Sequence, residues 1–208
     1  GSTIYYLLRY IRSKTTTKMN CLDLFSGIGG MTMNLDVNYV SMVEIDPHAR
    51  EILHKRYPGI PVHDDIRTLD PTLLSPFDLI TGGFPCQDIS SAGKRKGLAG
   101  SKSSLYFEVL RLVRLSRPKW VYLENVANII SMPEVVQVVV DTLTSEGYDL
   151  TWCVLKASQC GSPMIRKRWF CLCQRIRPAE ERKVVLPLKV PKNGIVLAGV
   201  FTESSLPP

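Results

Sequence analysis

The chain has 208 residues, 45% of them hydrophobic and 22% charged, a globular profile with enough apolar mass for one good core and a small appendage. This excludes disordered, collagen-like and coiled-coil chains, and no apolar run approaches the roughly 18 residues that a bilayer crossing needs. An excess of 26 Lys+Arg over 19 Asp+Glu gives a net charge of +7, which favours an anionic partner without specifying one; the 6 scattered cysteines fit a soluble protein of a reducing compartment, cytoplasmic or nuclear, with free thiols.

Gly1-Ser2 reads as an expression scar, and Met19, directly before an apolar strand pattern, as a natural start. Between them, residues 4–11 carry apolar groups at helical spacing and predict a short helix, followed by a polar linker to residue 18. From there the pattern alternates. A strand is expected over 20–25, then a glycine turn, a strand over 39–45, a helix over 47–56 with proline in its first position, and strands over 62–65 and 77–81. The last of these ends in Gly82-Gly83-Phe84-Pro85, after which 88–103 is polar, glycine-containing and too long for a plain connection. Helical periodicity returns over 104–116 and, despite its valines, over 134–146; strands are expected over 120–124, 150–157 and 169–173. Repeated β-α-β alternation predicts an α/β fold, an open, doubly wound and mostly parallel sheet with helices on both faces and ligands at the carboxyl ends of its strands. After Arg177 the prolines at 178, 187, 191, 207 and 208 break the pattern. The expected division is 1–18 helix and linker, 19–177 sheet domain, 178–208 the beginning of another unit.

Four sets of residues fall at strand ends. Asp23-Leu24-Phe25-Ser26-Gly27-Ile28-Gly29-Gly30 is a glycine turn after the first strand, where the missing Cβ lets backbone approach a ligand. Glu44 ends the second strand, where a carboxylate can accept both ribose hydroxyls of an adenosine-containing cofactor. A plainer reading is a tight turn beside a solvated acid. Met31-Thr32 after the glycines departs from a pyrophosphate cradle, and Asp64-Asp65 offers either an acceptor for an adenine amino group or a helix cap. Cys86 in Gly82-Gly83-Phe84-Pro85-Cys86-Gln87 opens the long loop, with Lys94, Arg95 and Lys96 close enough in sequence to lower a thiol from about 8.5. It is a candidate nucleophile, against the commoner role of a small buried hydrophobe. Glu124-Asn125-Val126 follows a strand and projects into the same crevice, or caps a helix; Arg166-Lys167-Arg168 enters the last strand with both arginines on one side. Neither the Cys171, Cys173 pair nor the scattered His48, His54 and His63 has zinc-site spacing, so no metal is expected.

Taken in this order, together with Ser103-Ser104-Leu105-Tyr106 before a helix, these motifs resemble the cytosine-5 DNA methyltransferase family from about Cys21 to Cys173, roughly three-quarters of the chain. The resemblance implies a Rossmann-like methyltransferase sheet using S-adenosyl-L-methionine, with S-adenosyl-L-homocysteine as product. It implies that Phe25, Ser26, Gly27 and Gly29 hold the methionine end, Glu44 the ribose, and Ile45, Asp65 and Ile66 the adenine. Cys86 would add to C6 of cytosine, Glu124 would protonate N3, and Arg168, supported by Arg166, would hold O2. The family flips its base out of duplex DNA; the long loop would close over it, with Ser90, Lys94, Arg95 and Lys96 toward the phosphates.

Met164 stands where the family usually has glutamine. The family's target recognition domain and the segments completing its catalytic fold would follow this point, and Asn193-Gly194-Ile195-Val196-Leu197 looks like the opening of such a domain. A split or truncated enzyme is therefore expected, its second polypeptide supplying recognition and the missing tail, with an apolar face exposed on the chain alone. The residues before Met19 faintly resemble the family's final segment, which implies a permuted order; the other reading is vector-derived or unrelated sequence. Alternatives are a tRNA cytosine-5 methyltransferase of the same family and a catalytically silent cofactor-binding subunit. A nicotinamide-dependent oxidoreductase would need the pyrophosphate turn that is not seen.

Overall fold

The computed structural model describes residues 18–33, 35–85, 105–160, 166–176 and 196–198. Its strands are β1 (Met19–Leu24), β2 (Val37–Val43), β3 (Val62–His63), β4 (Leu79–Gly83), β5 (Trp120–Val126), β6 (Tyr148–Lys156), β7 (Lys167–Arg175) and β8 (Val196–Ala198), in the order β3-β2-β1-β4-β5-β7-β6-β8. The first five are parallel; β7 runs antiparallel between β5 and β6, and β8 pairs antiparallel with β6 at the edge. The expected mostly parallel α/β sheet is present.

Helix α1 (Pro47–Arg56) starts as anticipated, with Pro47 at its first position and the Asp46 carboxylate accepting the His48 amide at 2.9 Å. Helices α2 (Leu105–Ser116) and α3 (Pro133–Ser145) lay their apolar stripes, including Val109, Leu110, Val113, Val135, Val139 and Leu143, on one face of the sheet against Leu22, Leu24, Ile80, Val121 and Leu123. The tyrosine of the Leu105-Tyr106 pair locks these helices together, its hydroxyl 2.6 Å from Thr142 Oγ1. On the opposite face Met19, Cys21, Leu79, Trp120, Tyr122 and Leu172 form a second, smaller cluster to which, among the described residues, no helix contributes. The doubly wound, mostly parallel arrangement is as expected, with β2 and β3 on one side of β1 and β4 and β5 on the other; the helix expected over 4–11 lies outside the described residues.

Several boundaries move, each because a neighbouring strand extends or ends the ladder. β4 begins at Leu79 and runs through Gly82 and Gly83, which pair with Leu123 and Glu124 of β5 instead of forming the expected turn. The strand expected over 120–124 runs on through Asn125 and Val126, because β7 continues the pairing to Val126↔Arg168. Arg168 likewise lies inside β7. β3 is only two residues, so Asp64 and Asp65 sit in the turn beyond it. The crossover from β1 to β2 contains no helix among its described residues. The stretch read as the opening of a further domain contributes residues 196–198 to this same sheet.

Candidate functional site

The chain runs outward from β1 to β2 and β3, then returns to place β4 on the other side of β1. The crevice at the carboxyl ends of β1 and β4 is therefore the topological switch point, where open α/β sheets bind ligands. Strand order lays out the motifs of the sequence across it. The Asp65 turn, Glu44 and the glycine turn follow β3, β2 and β1 on one side; Phe84-Pro85, Glu124 and Arg168 stand on or after β4, β5 and β7 on the other.

On the first side the turn is wound through positive φ at Phe25 (54°), Gly27 (54°) and Gly29 (82°). The cost of a left-handed phenylalanine is accepted because neighbours over-determine the turn. The Ser26 amide donates to the Val43 carbonyl at 3.0 Å, the Gly29 amide to Ser26 at 2.8 Å, and the buried Ser26 hydroxyl to the Asp23 carbonyl at 2.9 Å. Ser26 thus holds the turn from within. Glu44 bridges its two flanks, accepting the Gly27 amide at 2.6 Å and the Asp46 amide at 2.9 Å on different oxygens, which leaves each oxygen a further lone pair for a hydroxyl. Ile45 beside it is 67% exposed, an apolar surface suited to a flat base.

Asp65 carries a bidentate Arg67, at 3.0 Å from Nε and 2.6 Å from Nη2 to Oδ2, and these hydrogen bonds hold its carboxyl down at about 2. It is an ionised acceptor already engaged on both oxygens. Ile66 turns its side chain into the core, and its carbonyl accepts Arg111 at 2.8 Å, so any contact with a base would have to come from its main chain.

On the second side, Glu124 Oε1 is 2.7 Å from Arg168 Nε. Burial pushes the Glu124 carboxyl above its ordinary value, against the opposing charges of Arg168 and Arg166 and the Arg168 hydrogen bond. The other oxygen lies over Gly83, where a Cβ would stand 3.0 Å away. Asn125, buried, donates from Nδ2 to the Phe84 carbonyl at 2.6 Å, and the Phe84 ring packs on Tyr106 at 5.1 Å between centroids. The segment leading to Cys86 is therefore pinned to β5 on one side and α2 on the other. Cys86, Ser90, Lys94, Arg95 and Lys96, and Met164, lie outside the described residues. Arg166 is exposed just before β7, near enough for its charge to act on Glu124. Cys21, Cys153, Cys171 and Cys173 are buried, and burial raises the thiols of the first three. Cys21, Cys153 and Cys171 are therefore not activated nucleophiles.

Asp23, part of the glycine motif but assigned no role from the sequence, is buried with Oδ2 lacking any hydrogen-bond partner. Its Oδ1 accepts the Thr81 hydroxyl, which also meets Cys21 Sγ at 3.6 Å. Burial and, secondarily, the Glu44 charge push its carboxyl up to about 6, against the Thr81 and Ser26 hydroxyls. The alternation Met19, Cys21, Asp23 along β1 was the available signal, since it aims an acid at a covered face.

The sheet order and the turn after β1, with an acid at the end of β2, define a Rossmann-like sheet of the S-adenosylmethionine-dependent methyltransferase class. The residues present fit that cofactor: at the end of β2 the Glu44 carboxylate keeps lone pairs for hydroxyls, and Ile45 beside it offers an exposed apolar surface to a base. The family described as C-5 cytosine-specific DNA methylase matches residues 19–194, and the chain belongs to it. It is 33% identical over 202 residues to Type II methyltransferase M.NgoBV of Neisseria gonorrhoeae, covering 88% of this chain and 48% of that one. It is 33% identical over 170 residues to Type II methyltransferase M.HhaI of Haemophilus parahaemolyticus, covering 79% and 52%. Among solved structures, a DNA modification methyltransferase encoded within an E. coli prophage superposes with a TM-score of 0.62 at 27% identity, over 76% of this chain and 47% of that one. DNMT2 of Spodoptera frugiperda shares the fold, with a TM-score of 0.61 at 23% identity over 79% and 53%. The chain spans about half the length of the curated relatives it matches. Among the described residues no helix is long and apolar enough to cross a membrane, and no group of side chains could hold a metal ion.

Proposed function

We propose that this chain carries the cofactor-binding and catalytic part of a DNA cytosine-5 methyltransferase, moving a methyl group from S-adenosylmethionine to C5 of a cytosine flipped out of duplex DNA. The observation that carries the reading is the Glu124–Arg168 ion pair, 2.7 Å long, placed over Gly83 only two residues before Pro85-Cys86. C5 of cytosine is a weak nucleophile. A Cys86 thiolate adding to C6 forms an S–C6 bond and pushes electron density toward C5, while Glu124 donates its proton to N3 so that no anion builds on the ring. The bound cofactor supplies the electrophilic methyl group that C5 takes. Loss of the C5 proton to solvent base then re-forms the C5–C6 double bond and expels the thiolate, and N3 returns its proton to Glu124.

Each local feature serves one of these steps. Burial keeps Glu124 protonated to higher pH than an ordinary carboxyl, as a proton donor requires. Arg168, paired with Glu124, would orient it and hold the base O2, with Arg166 in support. Phe25, Ser26, Gly27 and Gly29 would hold the methionine end of the cofactor, Glu44 the ribose, and Ile45, Asp65 and the Ile66 main chain the adenine. Ser90, Lys94, Arg95 and Lys96 would meet phosphates. Target recognition is proposed to come from a second polypeptide.

The test is transfer of labelled methyl to mixed-sequence duplex DNA and to bulk tRNA, with Cys86→Ser as control and candidate partner chains added. Label in DNA that vanishes in the serine variant is expected. Label in tRNA alone would replace DNA as substrate, and cofactor binding without transfer under every condition would leave a silent subunit.

A further inference from the structure

A parallel connection such as β1 to β2 is usually made by a helix packed on the sheet. Here the crossover has no helix among its described residues, yet its turn holds positive φ at Phe25, Gly27 and Gly29. Strain of this kind persists only where something outside the turn fixes it.

The C-terminal end of α1 does so. Arg56 Nη1 donates to the Ile28 carbonyl at 2.7 Å, and the hydroxyl of Tyr57, the residue closing the helix, donates to the Gly29 carbonyl at 3.2 Å. The Tyr57 ring fills the space beside Gly29, where a Cβ would come within 2.6 Å of it. Tyr57 is itself backed by Tyr39, ring centroids 5.0 Å apart edge to face, and the Tyr39 hydroxyl lies 2.6 Å from the buried Thr32 hydroxyl farther along the crossover. The other end of the same helix holds the strand end. Arg50 Nη1 donates to the carbonyls of Glu44 at 3.0 Å and Ile45 at 2.6 Å, and Glu44 reaches back to the Gly27 amide.

We infer that α1 is a brace that sets the spacing between the Glu44-Ile45 edge and the Phe25–Gly29 turn, with Arg56 and Tyr57 acting as positioning residues for the cofactor. Neither need touch it. They hold the backbone that does, in place of a crossover helix. The inference rests on the reading of this turn as the cofactor site.

The experiment is calorimetric titration of the 208-residue chain with S-adenosylhomocysteine, alongside urea unfolding. Tyr57→Phe, which keeps the ring and removes only the hydroxyl, and Arg56→Met are each expected to weaken binding about three- to tenfold at an unchanged unfolding midpoint. Arg56→Lys, which can still reach a carbonyl, recovers part of the loss, and Lys55→Met on the same helical turn has no effect. Variants that bind as tightly as the parent would overturn the brace, as would affinity losses that merely follow a falling midpoint. If the parent binds neither cofactor nor product, the cofactor reading falls and the brace with it; if the parent binds and the variants are indistinguishable from it, the brace alone falls.

Discussion

Asp23→Asn isolates the electrostatics of the carboxyl beneath the glycine turn. The native fold raises that carboxyl from 3.8 to about 6, chiefly by burial, and its Oδ2 has no donor to offset the loss of water. A folded value above the unfolded one means that the native state holds the proton longer. Its contribution favours folding fully below about pH 4, declines as pH rises through about 6, and is absent above that. About two units of difference correspond to about 3 kcal/mol, with no discount for solvent because the group is fully buried. Asparagine can still accept the Thr81 hydroxyl but does not titrate. Whatever fixed amount its amide costs, the difference in unfolding free energy between parent and variant should change by about 3 kcal/mol between about pH 4 and about pH 7.5, the variant gaining toward high pH. Urea unfolding followed by tryptophan fluorescence at several pH values measures this directly. A difference independent of pH would refute the reasoning, since it would mean that Asp23 titrates alike in folded and unfolded chains.

Glu124→Gln should lower methyl transfer by about 10²- to 10⁴-fold, the usual worth of a positioned proton donor, with S-adenosylhomocysteine binding unchanged by calorimetry. Because burial raises the Glu124 carboxyl, transfer should decline as pH rises through that raised value; Arg168→Ala, which removes the largest opposing charge, should move this limb of the kcat/KM profile to higher pH while lowering its height. Gly83→Ala places a Cβ 3.0 Å from Glu124 Oε2 on backbone held in a ladder between two strands, so the carboxylate must shift by a few tenths of an ångström. Transfer at saturating cofactor should fall by about tenfold or more in that variant, without loss of cofactor affinity. Asn125→Ala leaves the Phe84 carbonyl without its donor, and urea unfolding should show a loss of about 1–3 kcal/mol.

The elements legible in the sequence were those whose signals are local. Pro47 announced the start of α1, because a proline at the first helical position acts locally; the Asp46 cap beside it emerged from the structure. The short apolar stretches around β1, β4 and β5, bounded by turn residues, announced strands, because that pattern is a local mark. Their ends were less legible. Gly82 and Gly83 look like a turn, yet they continue β4 because Leu123 and Glu124 of a strand some forty residues away pair with them, and pairing partners carry no local mark.

The same division runs through the site. Cys86, Glu124, Arg168, Glu44 and the glycine turn were named from residue type at strand ends, since that chemistry is a property of the side chains and their order. Tertiary structure decided how they meet. Insertion of an antiparallel β7 beside β5 brings Arg168 onto Glu124 across 44 positions of sequence, and the return of β4 beside β1 makes one crevice of two motifs. It also turned Ile66 inward, engaged Asp65 with Arg67, buried Asp23, and set Arg56 and Tyr57 against a turn 28 residues earlier. Sequence determines which groups are available and in what local geometry, because backbone preference and side-chain chemistry act over a few residues. Which of them are desolvated, paired or left without a partner depends on which distant surfaces exclude water together, and only the packed sheet determines that.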